Sequence, residues 1–93
     1  MPIKWLRTAL HNLDDHANYI AEDNPDAARR AVERVRTAVS RLAEYPNMGR
    51  IGRVPQTREL VVAGTAWVVV YRVCNSIEII RVLHGSQAWP PRR

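Results

Sequence analysis

The sequence predicts an α+β domain, with element order β-α-α-β-β-β and a helical hairpin packed on one face of a mainly antiparallel sheet. Three observations carry this. From Arg58 to Leu83, three runs rich in Val, Ile, Trp and Tyr are separated by Ala63-Gly64-Thr65 and Cys74-Asn75-Ser76, the spacing of a three-stranded meander joined by tight hairpins. Upstream, apolar residues recur at intervals of three and four, the period of amphipathic helices. Between those two helical stretches stands Asn24-Pro25, a cap followed by a residue suited to the first helical position.

Pro2 to Leu6 is short and β-prone, and is expected to open the sheet and join the meander. A first helix is expected from about Ala9 to Glu22, capped by Thr8, with Leu10, Leu13, Ala17 and Ile20 on its apolar face. A second is expected from about Pro25 to Ala43, with Ala28, Ala31, Val32, Val35, Val39 and Leu42 as one stripe. Its other face carries Arg29, Arg30, Arg34, Arg36 and Arg41, which reads as a solvated face with Arg29–Glu33 support. Tyr45 to Pro55 is punctuated by two Pro and two Gly and reads as the loop from helix to sheet.

The middle run, Trp67 to Val73, is apolar on both parities, whereas an antiparallel strand with one wet face alternates with polar residues. Both of its faces want cover. The chain has helices for one, so the other is expected to await a partner. The tail from His84 holds Gly85, Trp89, Pro90 and Pro91 and closes on Arg92 and Arg93. Two readings of it stand side by side: an exposed contact for a target, or Trp89 folded back to cap the core.

The 93 residues make one domain, 1–93, burying roughly 60–65% of the unfolded chain's surface. Thirteen Arg and one Lys against nine acids give +5 at neutral pH and a pI near 10.3, which favours an acidic protein partner or nucleic acid. The single cysteine, Cys74, can neither staple the fold nor build a zinc site. His11 and His16 lie out of i,i+4 register, so no metal or cofactor is expected. The amino terminus has no apolar signal core, and the run from Leu60 to Tyr71 is far short of the about 20 residues that span a bilayer. A cytoplasmic protein without membrane contact is expected.

Taken in order, Gly49-Arg50, Arg58-Glu59-Leu60, Tyr71-Arg72-Val73, Arg81-Val82 and His84, with the helical hairpin before them, resemble the RelE/ParE family of type II toxins over nearly the whole chain. The resemblance implies the family's fold and a cognate antitoxin, ParD-like or RelB-like, with operator DNA reached only through that antitoxin. It also divides the function. RelE-like members are ribosome-dependent messenger ribonucleases, with lysines on the first meander strand, an Arg on the second and an Arg after the last. Matching on Tyr71-Arg72-Val73 puts Glu59 and Val61 at the lysine positions, Val68 at the first Arg and Gly85 at the later one. RNA cleavage through the 2′-hydroxyl needs a base, an acid and cations around the phosphorane; some ribonuclease toxins of the family use a histidine near the end of the last strand, and the resemblance makes His84 the catalytic group of that alternative. ParE-like members inhibit DNA gyrase by binding, and the long hairpin, Arg58-Glu59-Leu60 and Tyr71-Arg72-Val73 sit closer to that branch, although Gln87 stands where the family is often basic.

The expected function is therefore a ParE-like gyrase inhibitor. A RelE-like ribonuclease and a non-toxic remnant that still binds antitoxin are the alternatives. His84, Gln87, Trp89, Arg92 and Arg93 are the expected target contacts, and Arg50, Arg53, Arg58, Arg72 and Arg81 the expected antitoxin contacts.

Overall fold

In the computed structural model, which describes residues 1–91, the elements run β1 (Ile3–Trp5), α1 (Arg7–Ala21), α2 (Pro25–Arg41), β2 (Arg50–Ile51), β3 (Arg58–Val61), β4 (Trp67–Val73) and β5 (Ile77–His84). They form one five-stranded sheet in the order β1-β5-β4-β3-β2. The β3-β4-β5 meander is antiparallel as expected, and β1 joins it parallel to β5, Ile3 opposite Ile77 and Trp5 opposite Ile79. A parallel neighbour requires a crossover, and the helical hairpin supplies it.

The second helix starts where the sequence places it: Asn24 accepts the Ala27 N–H through its side chain at 3.1 Å and Pro25 follows. The first departs from expectation. It begins two residues earlier, behind Leu6, with no side-chain cap, so Thr8 lies inside it. Leu6 is fixed instead by its amide, which donates to the Ile79 carbonyl at 3.0 Å. That rotation puts Ala9 and Leu13 in the core and leaves Leu10 exposed.

One core fills the space between hairpin and sheet, with Ala9, Leu13, Val35, Val39 and Leu42 from the helical side against Leu60, Val62, Trp67, Val69, Tyr71, Ile77, Ile79 and Val82. The opposite, outer face has a smaller cluster of Val68, Val70 and Leu83, with Ile80 and Trp89 packed on it. Every residue from Trp67 to Tyr71 is buried, so the strand that is apolar on both parities is covered on both sides. A register shift explains how β5 serves both. Val70 faces Arg81 but Tyr71 faces Ile79, a bulge that sets Ile80 and Arg81 together opposite one residue and puts both on the outer side.

One short element escapes the sequence pattern. Strand β2 lies within the Tyr45–Pro55 loop, with Arg50 opposite Glu59 and Ile51 opposite Arg58. Strand β1 ends at Trp5, so the edge of β5 beyond Ile79 has no strand beside it. There α1 substitutes: Asn12 Oδ1 accepts the Val82 N–H at 3.2 Å, and His16 Nε2 donates to the Val82 carbonyl at 3.0 Å. Side chains one helical turn apart satisfy both backbone groups of one residue, closing an edge that otherwise invites pairing.

Replacing Asn12 with Ala orphans the amide of the fully buried Val82. The expected loss is about 1–3 kcal/mol, which for a domain of this size lowers Tm by at least about 4 °C. Thermal unfolding followed by circular dichroism checks this, and an unchanged Tm would show that water serves Val82 equally well.

Candidate functional site

The outer face is where the chain's charge surrounds the smaller apolar cluster, beside which Val61 stays 56% exposed. Strand alternation and register put Glu59 and Val61 of β3, Val68, Val70 and Arg72 of β4, and Glu78, Arg81 and Leu83 of β5 on this side. Its centre is apolar and its rim cationic.

Glu59 organises the rim. Its side chain is only 1% exposed, and a buried carboxylate survives only with partners. It has four hydrogen bonds. Oε1 accepts from Arg50 Nη2 at 3.1 Å and Arg53 Nη2 at 3.1 Å, while Oε2 accepts from Arg53 Nε at 3.1 Å and the Arg53 backbone N–H at 2.9 Å. Burial alone pushes this carboxyl up; the Arg53 side chain and amide, the Arg50 bond and the Arg53 charge outweigh it and hold the pKa at about 2 instead of the ordinary 4.5. Arg53 makes the two-pronged contact that lysine cannot. Both guanidinium groups remain about half exposed, so each has one side committed and another open to a second carboxylate.

The same loop is held from the helical side. Tyr71 Oη donates to the Pro46 carbonyl at 2.8 Å and accepts the Gly49 N–H at 2.9 Å, and Arg58 donates to the Gly49 carbonyl at 2.8 Å. A β-carbon on Gly49 would stand 2.8 Å from the Tyr71 hydroxyl and ring. Only glycine lets the backbone come this close.

Of the expected antitoxin contacts, Arg50, Arg53, Arg72 and Arg81 share the outer face. Arg72 pairs through Nε with Glu78, and Arg81 lies over the Trp89 ring at 5.6 Å. Arg58 differs: Tyr71 is its partner across the strands, so it lies on the helical side and braces the loop. The expected target contacts are split. His84 is exposed at the end of β5, its Nδ1 2.8 Å from Ser86 Oγ and its amide bonded to Gln87 Oε1 at 3.0 Å. Trp89, expected either exposed or capping the helix–sheet core, is half buried on the opposite face of the sheet. Arg92 and Arg93 lie outside the described residues. His84 also lines a cleft of about 350 Å³ with His16, Tyr19, Ile20 and Trp67, beside the end of the hairpin where α1 turns into α2. Among the described residues no group of three or more metal-ligating side chains comes together, and no helix is long and apolar enough to cross a membrane.

Residues 3–89 match the model of the ParE toxin of the type II toxin–antitoxin system parDE. The chain belongs to that family of toxins. It is 49% identical over 88 residues to the protein Y4kP of Sinorhizobium fredii, spanning 95% of this chain and 92% of that one. It is also 36% identical over 86 residues to toxin RelE2 of Caulobacter vibrioides, spanning 91% and 96%. Among solved structures, one described as a chromosomal ParDE toxin–antitoxin system from P. aeruginosa superposes with a TM-score of 0.82 at 30% identity, covering 90% of this chain and 95% of that one. In this ParE-family toxin the signal the sequence did carry, Arg-Glu-Leu at 58–60, holds both loop anchors; that Glu59 is the buried hub had no local sign.

Because the folded pKa of Glu59 lies below the unfolded one, its contribution is present above pH 4.5 and lost as pH falls toward 2. Glu59→Gln is expected to cost on the order of 2–3 kcal/mol at pH 7, discounted for the half-exposed partners. The two proteins should converge in urea stability only below about pH 2. A difference that stays constant with pH would assign the cost to packing instead.

Proposed function

We propose that this toxin stops growth by binding DNA gyrase, and that its antitoxin neutralises it by laying an acidic amphipathic segment on the outer sheet face and along the helical hairpin. The observation that carries the first half is what stands at the ribonuclease positions. Where lysines would stand on the first meander strand are Glu59, with both oxygens committed to Arg50 and Arg53, and Val61. A carboxyl held near pKa 2 has little basicity to offer as a general base at neutral pH. Where the strand arginine would stand is Val68, buried in the outer apolar cluster. These side chains favour binding, rather than RNA cleavage, as the toxin's route to its target.

Support for the antitoxin is charge and shape. Arg50, Arg53, Arg72 and Arg81 surround an apolar trough on a chain of net charge +5, and the P. aeruginosa neighbour is described as a ParDE pair. A stable complex is expected to bury more than about 1,000 Å². The ribonuclease alternative keeps two observations in its favour: His84 is exposed at a strand end, and the Caulobacter relative bears a RelE name.

Two assays on one preparation separate these readings. The purified toxin is expected to reduce supercoiling by gyrase at micromolar concentration and to leave messenger RNA intact on translating ribosomes. Codon-dependent cleavage abolished by His84→Ala would replace the gyrase reading with the ribonuclease one. Antitoxin affinity should also fall as salt rises, since exposed charge pairs are screened beyond a Debye length of roughly 8 Å; a salt-independent dissociation constant would assign binding to the apolar trough alone.

A further inference from the structure

Among the described residues of the tail, Trp89 is the large side chain laid on the outer face, and its fit there is incomplete. With Ile80 it packs on the cluster of Val68, Val70 and Leu83, and its ring takes Arg81 at 5.6 Å. Its indole Nε1 is buried with no hydrogen-bond partner among the described residues, and an unmade hydrogen bond on a buried donor is a standing cost. Among the described residues, the tail that delivers it contains no helix or strand. It turns at Gly85, whose amide bonds the Ala66 carbonyl at 2.6 Å, and closes a short loop through the Gln87 amide and the His84 carbonyl at 2.9 Å. Beyond the covered cluster the same face continues to Val61, 56% exposed.

We propose that Trp89 is a placeholder: the tail from Gly85 is a strap that occupies the apolar trough in the free toxin, and a partner segment displaces it. This rests on the outer face being the antitoxin surface. The poor fit describes the partner. A hydrocarbon anchor, Phe, Leu or Ile, fills the trough without an orphaned N–H, and a carboxylate beside it takes the Arg81 guanidinium that the indole now covers. The best-fitting segment is therefore amphipathic, with an apolar anchor next to an acidic residue. Exchange of this kind sets the apparent affinity by the fraction of toxin whose strap is open.

Two substitutions in the full chain test it. Trp89→Ala removes the placeholder, whereas Trp89→Phe keeps the anchor and deletes the unpaired N–H. The first readout needs no partner: anilinonaphthalene sulfonate, an apolar anion, should bind Trp89→Ala several-fold more than wild type, and Trp89→Phe no more than wild type with a raised Tm. The second readout is the dissociation constant of the antitoxin copurified with the toxin. Trp89→Ala should bind it about tenfold tighter, and Trp89→Phe more weakly than wild type. Equal dye binding by all three proteins overturns the strap. Increased dye binding with antitoxin affinity unchanged or weakened overturns the exchange while the antitoxin reading stands. If wild type binds no antitoxin, the proposed partner falls and the dye readout still decides the strap. Should Trp89→Ala lose its cooperative thermal transition, Trp89 is core and the strap is overturned, which Trp89→Phe with unchanged Tm and dye binding corroborates.

Discussion

A strand that is apolar on both faces has to be covered twice, and the structure is arranged around meeting that requirement for β4. Residues Trp67 to Tyr71 are all buried, alternately toward the hairpin and toward the outer face. Each fully buried Val or larger side chain is worth roughly 1.5–3 kcal/mol over its exposed state, so Val68 and Val70 make covering the outer face favourable even with scant material. The helices serve the first face in the ordinary way. The second is covered by a bulge residue, one tryptophan and a clamped loop, which is why it is simultaneously buried and modifiable.

The loop from Tyr45 to Thr57 is fixed through the sheet rather than through its own chain. Neighbours in sequence on β3, Arg58 and Glu59 point to opposite faces by strand alternation and grip the loop from both sides, Arg58 by the Gly49 and Asn47 carbonyls and Glu59 by Arg50 and Arg53. Tyr71, across from Arg58, adds the Pro46 and Gly49 contacts. The consequence for binding is preorganisation: guanidinium groups already held by a buried carboxylate lose less freedom when a partner arrives than free surface arginines do.

What the sequence showed follows from what is local. Asn24-Pro25 marks a cap through side-chain and ring chemistry confined to a few residues, so α2 was placed to its first residue. The start of α1 was not, because Leu6 is fixed by the Ile79 carbonyl, more than seventy residues away. Strand β2 is two residues long, too short for any alternation. The β5 bulge breaks the alternation the reading relied on, and no residue type there announces it. The arginine cluster was legible as composition, but its division was not: whether Arg58 serves partner or loop depends on strand register. Trp89 was legible as a tail aromatic with two fates, and the face it chose depended on Ile80 and Arg81 both turning outward at the bulge.

Electrostatics on the outer face then follow from geometry more than from net charge. Arg50, Arg53, Arg72 and Arg81 line it, and Lys4 stands beside Glu78 on the neighbouring strand. The carboxylates among them are Glu59 and Glu78, each already bonded to arginine. Cations remain in excess, so the face attracts acidic segments, but the bonded carboxylates remove the freedom of the arginines to follow them. A ligand must bring its charges to the open sides of guanidinium groups whose orientation is set by Glu59 and Glu78. Attraction at long range comes from the excess and is screened by salt; discrimination at contact comes from the two buried or half-buried carboxylates, because they decide where each remaining N–H points.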